Sequence, residues 1–596
     1  MDGTFAVAIG GAAGQGVATP GDIFAKLFVR RGLHVNAYNA YQSIIRGGHT
    51  FLTIRTGTEE VKCFGDRIDL LIPLNQDSMD RHLGLMRSGA AVVYNSDTVK
   101  PGTAHDGVRL CPLPVNQLSK ASRSKVEQNT LALAASLQMM GVTFEPLAEI
   151  LTEQFMRKGG KVVTENLDIA RVGFDYAVAN FQAFASPLPM HDMAYAVLSG
   201  NIALAMGGAA AGVKFYCAYP MSPSTGVLHW MAAHAREAGI VVRQVEDEIG
   251  VINMAIGAAH AGVRAMCATS GGGFALMTEA LGMSAMMETP VVVIDVQRAG
   301  PSTGVPTKTE QGDLWQMLGA GFGDFPRLIA APTDILDCFK LVPEMHNLAD
   351  RFQCPGIILS DLLLSEGRSS VDPKQLTFDA EINRGEMITS AGPSNGKTVY
   401  NRYQITESGI SPRAIPGVPG HTHTASTDEH DENGVLLSDE FTNPVKRRAM
   451  MEKRQRKVEG IETAVRAPVL KGEPGAAVTL IGWGSTDGVI REAVELLNEE
   501  GISTNHLQIR WLVPLNGEAI VNILSSSRYS IIVENNYSGQ FARYLRSETS
   551  YVPNGHIRKY DGEPFMPHHI VAAVKEQLAG PTGKTQLSVP MHEIMV

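Results

Sequence analysis

The chain has 596 residues, 44% hydrophobic and 19% charged, with a formal net charge of -10 at pH 7. That length exceeds what one hydrophobic core organises and predicts roughly three or four domains, while the apolar fraction excludes a disordered protein. The charge is spread out with no lysine- or arginine-rich face, which excludes a nucleic-acid footprint and points to a small molecule or a protein as partner.

In chain order, an apolar strand at Phe5 to Ile9 leads through a glycine turn into a helix around Ile23 to Val29. Strand-like runs at Thr50 to Thr56, Leu70 to Pro73 and Ala90 to Tyr94 come next, then helical patterns at Val126 to Met140 and Phe144 to Phe155, predicting a first α/β domain over residues 1–186. A second domain is expected over 190–368. Its strands, Phe215 to Tyr219, Val241 to Val245, Arg264 to Thr269, Pro290 to Val296 and Gly356 to Leu359, are nearly continuously apolar, as in a parallel sheet covered on both faces by helices. Residues 369–470 are rich in Gly, Pro, Ser, Thr and His and read as a connecting region, with Lys446 to Lys457 as a solvated helix of mixed charge. A further α/β domain is expected over 471–596, with a strand at Val478 to Gly482, a helix at Val489 to Glu499 and a strand at Ser530 to Glu534. The fold class is α/β with several open parallel-sheet domains.

Apolar runs such as Pro290 to Val296 are far shorter than a membrane helix, and Met1 to Ile9 has no secretory pattern, so a cytoplasmic protein is expected. The six cysteines, Cys63, Cys111, Cys217, Cys267, Cys338 and Cys354, form no C-x-x-C pair and read as reduced, mostly buried thiols. The histidines of His421-Thr422-His423 and Glu429-His430 lie among Gly, Thr and Ser residues, which predicts a mobile loop and no zinc.

The first glycine turn runs from Gly10 to Gly16. Bare amides before a helix can hold a phosphate, but the acid that a dinucleotide site needs about 20 residues on is missing, so NAD is not expected and a plain tight turn stays open. In Ser43-Ile44-Ile45-Arg46-Gly47-Gly48-His49, an arginine beside a Gly-Gly turn has the reach to meet an anion. Four features then fall at the carboxyl ends of the second domain's strands, where open parallel sheets bind ligands. Tyr219-Pro220-Met221-Ser222-Pro223-Ser224 offers hydroxyls that either cap the next helix or face a ligand. Glu246-Asp247-Glu248 opens a helix, by itself explained by the macrodipole. Ser270-Gly271-Gly272-Gly273 lets a ligand approach the backbone. The run from Gln297-Arg298 to Thr307 adds an arginine and hydroxyls.

Together these motifs resemble the α subunit of 2-oxoacid:ferredoxin oxidoreductases. The opening domain, with Arg46-Gly47-Gly48, is similar to the γ domain that some members fuse ahead of α. Gly409 to Arg413, Glu429 to Glu432 and Glu534 to Gln540 are similar to the family's connecting region and its transketolase-type carboxy-terminal domain, so the likeness covers nearly the whole chain. Departures are Met221-Ser222 in place of Ile-Thr and Ile202 where glutamate is common. The G-D-G…N motif that holds magnesium and diphosphate is missing.

The resemblance implies a thiamine diphosphate site shared with a β subunit that carries Mg2+, the diphosphate site and a [4Fe-4S] cluster, with coenzyme A as co-substrate, ferredoxin as electron partner and an α2β2 assembly. It implies Glu248 as the catalytic carboxyl at the cofactor's ring nitrogen, with Tyr219, Pro220, Ser270, Gly271 and Gly272 around the cofactor. It further implies Ser222, Arg298 and Thr307 on the substrate, and Ser43, Arg46, Gly47 and Gly48 on coenzyme A or a lid. The fused layout favours 2-oxoglutarate, with pyruvate or a broad 2-oxoacid range as the alternative. A dinucleotide oxidoreductase is disfavoured by the missing acid. A non-catalytic structural subunit is disfavoured because Glu248, Arg298 and both hydroxyl positions are intact.

Overall fold

The computed structural model describes residues 3–42, 47–118, 125–392, 400–437, 443–580 and 586–588. It forms two compact units: Met1–Leu198 with Gly367–Gln375, and Ser199–Glu366 with Leu376–Pro590.

Among the described residues the first unit holds an eight-stranded sheet. The strand Thr4–Ala13 lies centrally, pairing antiparallel with Gly47–Gly57 and parallel with Leu70–Pro73. The parallel half continues through Ala91–Asn95 to Arg109–Leu113. The antiparallel half continues through His34–Ala40, a strand absent from the sequence-based reading, to Arg368–Val371. The helix Ala18–Arg30 buries Ile23, Phe24, Leu27 and Phe28 against this sheet, and the helices Lys125–Met139 and Phe144–Phe155 complete the core. Helix Gly160–Asn180 docks through small residues: a Cβ on Gly173 would lie 2.4 Å from the Leu131 carbonyl oxygen.

The second unit contains the seven-stranded sheet that carries the candidate site. From one edge to the other, its strands are Trp511–Val513, Leu328–Ala330, Gly356–Asp361, Val292–Gln297, Arg264–Thr269, Val213–Ala218 and Val241–Gln244. All pair parallel except Trp511–Val513, which the carboxy-terminal segment lends to the edge. Every residue of Arg264–Thr269, Val292–Gln297 and Gly356–Asp361 is buried, as their apolar runs predict. A second sheet, mainly parallel, is built around Val478–Trp483, Thr504–Ile509 and Ser530–Glu534. All six cysteines are buried and none forms a disulfide among the described residues, of which no helix is long and apolar enough to cross a membrane.

The charged stretch after residue 443 corrects one expectation. It forms the helices Pro444–Gln455 and Lys457–Ala464, but Lys453, Arg454 and Lys457 are buried rather than solvated. Lys453 and Lys457 both pair with the fully buried Glu288, Lys457 at 2.6 Å, and Arg454 holds Glu429 at 2.8 Å. Burial by itself would raise the Glu288 pKa, yet the two ammonium groups hold it below the usual carboxylate range. A charged run shows its own charges but not a partner 165 residues away.

Candidate active site

The three acids at the start of the helix Glu248–His260 have three different environments. Glu246 is exposed. Asp247 is the N-cap, its Oδ1 accepting from the Gly250 amide at 3.0 Å. Glu248 turns inward and is 4% exposed, and its Oε1 is buried with no hydrogen-bond partner among the described residues. Because Asp247 does the capping, Glu248 is not the cap, and an acid that served only the helix macrodipole would have no need to turn inward. An unpartnered buried carboxyl oxygen costs roughly 1 to 3 kcal/mol or more.

That oxygen faces the triple-glycine turn. A Cβ on Gly273 would lie 2.5 Å from Glu248 Oε1 and 2.2 Å from Thr269 Oγ1, and a Cβ on Gly271 would lie 2.5 Å from Asp313 Oδ2. Both positions are bare because carboxyl groups press on the backbone. Gly272 differs: it is exposed and has nothing nearer than the Ser302 carbonyl oxygen at 4.0 Å, so the turn presents open backbone there. Ser270 precedes the helix Gly271–Met286 without capping it, and its buried Oγ has no partner among the described residues.

Arg298 reaches across to the first motif, its Nη1 donating to the Ser222 carbonyl oxygen at 2.6 Å. Ser222 is exposed, Tyr219 half-buried and Pro220 exposed, and Ser224 Oγ donates to the Met221 carbonyl oxygen at 2.8 Å. The Arg298 loop doubles back through an Ala299–Val305 bridge, which leaves Thr307 buried on the return arm. Carboxy-terminal residues clasp the chain beyond it. The Gln311 amide donates to the Asn535 carbonyl oxygen at 2.7 Å, Asn535 N donates to Gln311 Oε1 at 3.0 Å, and Gln540 Nε2 donates to the Gly312 carbonyl oxygen at 2.6 Å. The Glu534-to-Gln540 motif is therefore a fastening for the site, with Glu534 accepting from the Phe541 and Ala542 amides of the next helix.

The sequence reading missed two contributors. Asn201 is buried, donates to the Pro223 carbonyl oxygen at 2.8 Å and presses on Gly226, so it anchors the Ser222 loop from the neighbouring helix. Asp313, packed on Gly271, is the other. Position 201 adjoins the departure at Ile202, the only available signal, and nothing in the sequence marks Asp313.

In the first unit the Gly10-to-Gly16 turn is filled by its own residues. Gln15 Oε1 accepts from the Ala12 amide and from Asn75 Nδ2, each at 2.7 Å, and Asn129 Nδ2 donates to the Gln15 carbonyl oxygen at 2.7 Å. This favours the plain-turn alternative over a phosphate cradle. Gly47 and Gly48 open the strand Gly47–Gly57 with φ of +85° and +62°, backbone that favours glycine. Ser43 and Arg46 lie outside the described residues. Nearby, His49 Nε2 and His82 Nε2 sit 2.8 Å apart in the core.

A family model described as pyruvate flavodoxin/ferredoxin oxidoreductase, thiamine diphosphate-binding, matches residues 206–451, the segment that carries these motifs. Models for pyruvate ferredoxin/flavodoxin oxidoreductase and for the transketolase carboxy-terminal domain match residues 6–176 and 467–585. The "2-oxoacid:ferredoxin oxidoreductase 2, subunit alpha" of Aeropyrum pernix is 32% identical over 98% of both chains. The chain belongs to the 2-oxoacid:ferredoxin oxidoreductase α subunits. Another relative of this oxidoreductase subunit, the 2-oxoglutarate oxidoreductase subunit KorA of Mycobacterium tuberculosis, is 30% identical over 96% of this chain and 91% of its own. Among solved structures, the 2-oxoglutarate:ferredoxin oxidoreductase of Magnetococcus marinus, with 2-oxoglutarate, coenzyme A and succinyl-CoA bound, is 34% identical at a TM-score of 0.88, covering 96% of this chain and 99% of that one. The oxidoreductase α subunit is thus part of a multi-subunit enzyme and contains a thiamine diphosphate-binding domain.

Proposed function

We propose that this α subunit supplies the pyrimidine side of a thiamine diphosphate site in an enzyme that converts 2-oxoglutarate and coenzyme A to succinyl-CoA and carbon dioxide, reducing ferredoxin, or runs the reverse carboxylation. The observation that carries this reading is the unpartnered Glu248 Oε1 beside the open backbone of Gly272. These residues fit the cofactor: a flat ring can lie on bare glycine backbone, and a buried carboxyl without a partner is placed to exchange a proton with a ring nitrogen. When bound, thiamine diphosphate supplies a carbon nucleophile that makes decarboxylation of a 2-oxoacid possible. Tyr219 and Pro220 would border its ring, and Ser270 and Gly271 would shape the turn beneath it. Arg298, with a forked set of donors, would hold the substrate carboxylate, assisted by the Ser222 and Thr307 hydroxyls.

The chain lacks a cysteine cluster and a magnesium-diphosphate motif, which supports a β partner that carries Mg2+, the diphosphate site and a [4Fe-4S] cluster in an α2β2 assembly. The helices Glu248–His260 and Gly271–Met286 leave Ile249, Met254 and Leu276 exposed beside the site, an apolar surface suited to such a partner. Gly47 and Gly48, with Ser43 and Arg46, are assigned to coenzyme A or a lid. The domain division 1–186, 190–368, 369–470 and 471–596 and a cytoplasmic location complete the reading. The near full-length likeness to 2-oxoglutarate enzymes favours that substrate. Relatives named only for 2-oxoacids keep a pyruvate or broad-range enzyme as the second reading.

The test is reconstitution with a copurifying chain of about half this size that carries a brown iron-sulfur chromophore. Coenzyme A-dependent ferredoxin reduction is expected to run faster with 2-oxoglutarate than with pyruvate. A preference for pyruvate would transfer the assignment to the second reading, and no thiamine diphosphate in the active complex would end both.

A further inference from the structure

Beneath the Arg298 loop lies a group of carboxyls that the proposed chemistry does not use. Asp295 is on the buried strand Val292–Gln297, wholly enclosed, and among the described residues neither of its oxygens meets an amide, hydroxyl or ammonium donor within hydrogen-bond distance. What it faces is Asp313, whose Oδ2 is likewise buried without such a donor, and whose carboxyl presses on Gly271 at the edge of the cofactor turn. Two carboxyls buried side by side with no other donor at these oxygens repel one another as anions, which favours a single proton shared between them. The backbone on both sides is fixed. The Asp313 amide donates to Gln297 Oε1 at 3.1 Å, Gln297 Nε2 donates to the Ser360 carbonyl oxygen at 3.1 Å, and the Asn535–Gln311 clasp holds the preceding turn.

We propose that Asp295 and Asp313 are positioning residues that share one proton and so set the charge under Arg298, governing how strongly Arg298 holds the substrate carboxylate. This rests on the reading of Arg298 as the group that binds that carboxylate. The charged and titratable neighbours are few. Arg298 attracts both acids, and Glu310 stands beside Asp313. Glu248 lies on the far side of the Gly271–Gly273 turn. Asp361 on the adjacent strand Gly356–Asp361 is bonded to Ser485 instead. With the proton in place, the pair carries a single negative charge and Arg298 keeps most of its attraction for an anion. Loss of that proton to solvent adds a second charge, which competes with the substrate for the guanidinium.

The pH dependence has a definite sign. Burial raises Asp295, pushes Asp313 up to about 6 and, with the Asp313 charge, pushes Glu310 up to about 7. Rising pH therefore adds negative charge under Arg298 through the slightly acidic to neutral range, and substrate binding weakens.

The experiment is steady-state kinetics of the complex assembled with its β partner, using 2-oxoglutarate as the probe, from about pH 5 to about pH 8. In the parent, KM is expected to rise on the order of tenfold across this range with a smaller change in kcat. Asp313→Asn keeps a donor to Asp295 in its amide N–H but has no proton to lose, so its KM is expected to rise clearly less steeply with pH than the parent's. A merely structural role would move stability or kcat and leave the slope of KM alone. Superimposable KM profiles for parent and D313N would overturn the proposal. If D313N fails to assemble, Asp295→Asn, which removes the other member of the pair, decides on the same readout: a shallower rise supports the proposal and an unchanged one overturns it. Arg298→Ala in parallel separates the two layers. A large KM increase in R298A with an unchanged D313N profile sinks only this inference, whereas an unchanged KM in R298A sinks the reading of Arg298 itself.

Discussion

The two ends of the helix Gly271–Met286 each meet a buried carboxylate, and they are equipped in opposite ways. Just past the carboxyl end, Glu288 faces the negative pole of the helix and would be unfavourable there without Lys453 and Lys457, while Arg402 donates to its carbonyl oxygen at 2.8 Å. At the amino end, Glu248 leans over Gly273 with Oε1 unpartnered, and the adjoining Gly272 stays open. Both acids are buried and both belong to one helix's surroundings. Saturation with donors marks the first as structure, and its absence at the second is what supports the proposal that a ligand binds there. Burial alone would not have told them apart.

The largest expected effect breaks this contrast at the open end. Glu248→Gln keeps the size and a hydrogen-bonding end, but an amide cannot exchange the proton that activates the cofactor, so turnover is expected to fall by at least about 100-fold. Thiamine diphosphate binding and thermal stability should stay close to the parent. The measurement is exchange of the cofactor's thiazolium C2 proton by deuterium trapping, with Glu246→Gln as control; exchange at the parent rate in E248Q would remove Glu248 from its role. At the saturated end, Lys453→Met leaves Glu288 half-compensated, and about 3 kcal/mol of unfolding free energy should be lost, read by denaturant titration. Activity per folded molecule should hold. A smaller effect belongs to Gly272→Ala, which the open space accommodates and which should weaken thiamine diphosphate binding about tenfold by intruding on a flat ligand's contact with the backbone. Titration calorimetry of the assembled complex checks it, and unchanged affinity would mean that the opening at Gly272 serves nothing.

What the sequence displayed was whatever depends on local pattern. The buried strand Arg264–Thr269, the helix Phe144–Phe155 and the strand Ser530–Glu534 form where apolar runs and period predict them. The strand His34–Ala40 escaped because polar residues interrupt it, and the helix Gly160–Asn180 because it docks through Asn166, Ala170, Gly173 and Ala177 rather than a stripe of large apolar side chains. In the candidate site, the motifs at Glu248, Ser270 to Gly273 and Arg298 were readable, since each is a short run at the end of a strand. The meeting of Arg298 with Ser222, the anchoring by Asn201 and the Asp295–Asp313 pair are long-range facts of tertiary structure. Lys453 and Lys457 show the limit most clearly: charges that read as solvated are buried, because a carboxylate far away in sequence arrives to meet them.

The same contrast between filled and open separates the chain's two glycine turns, and this yields the smallest and most local prediction. The Gly10-to-Gly16 turn and the Ser270-to-Gly273 turn both join a strand to a helix, but the first spends its amide on its own Gln15 side chain, which accepts from Ala12 and Asn75. Gln15→Ala removes one acceptor that serves two donors. Because the turn is only partly buried, water can reach the freed groups, and the loss should be about 1 kcal/mol, visible as a small drop in melting temperature. If the turn is self-contained, substrate and coenzyme A kinetics of the assembled enzyme should not move. If instead Gln15 merely occupies a phosphate cradle in competition with a ligand, its removal should free the Ala12 amide and sharpen binding of a phosphorylated compound. Inorganic phosphate and coenzyme A are the probes: tighter binding of either in Q15A than in the parent would place the two turns in one class, and unaltered binding with the small stability loss keeps them apart.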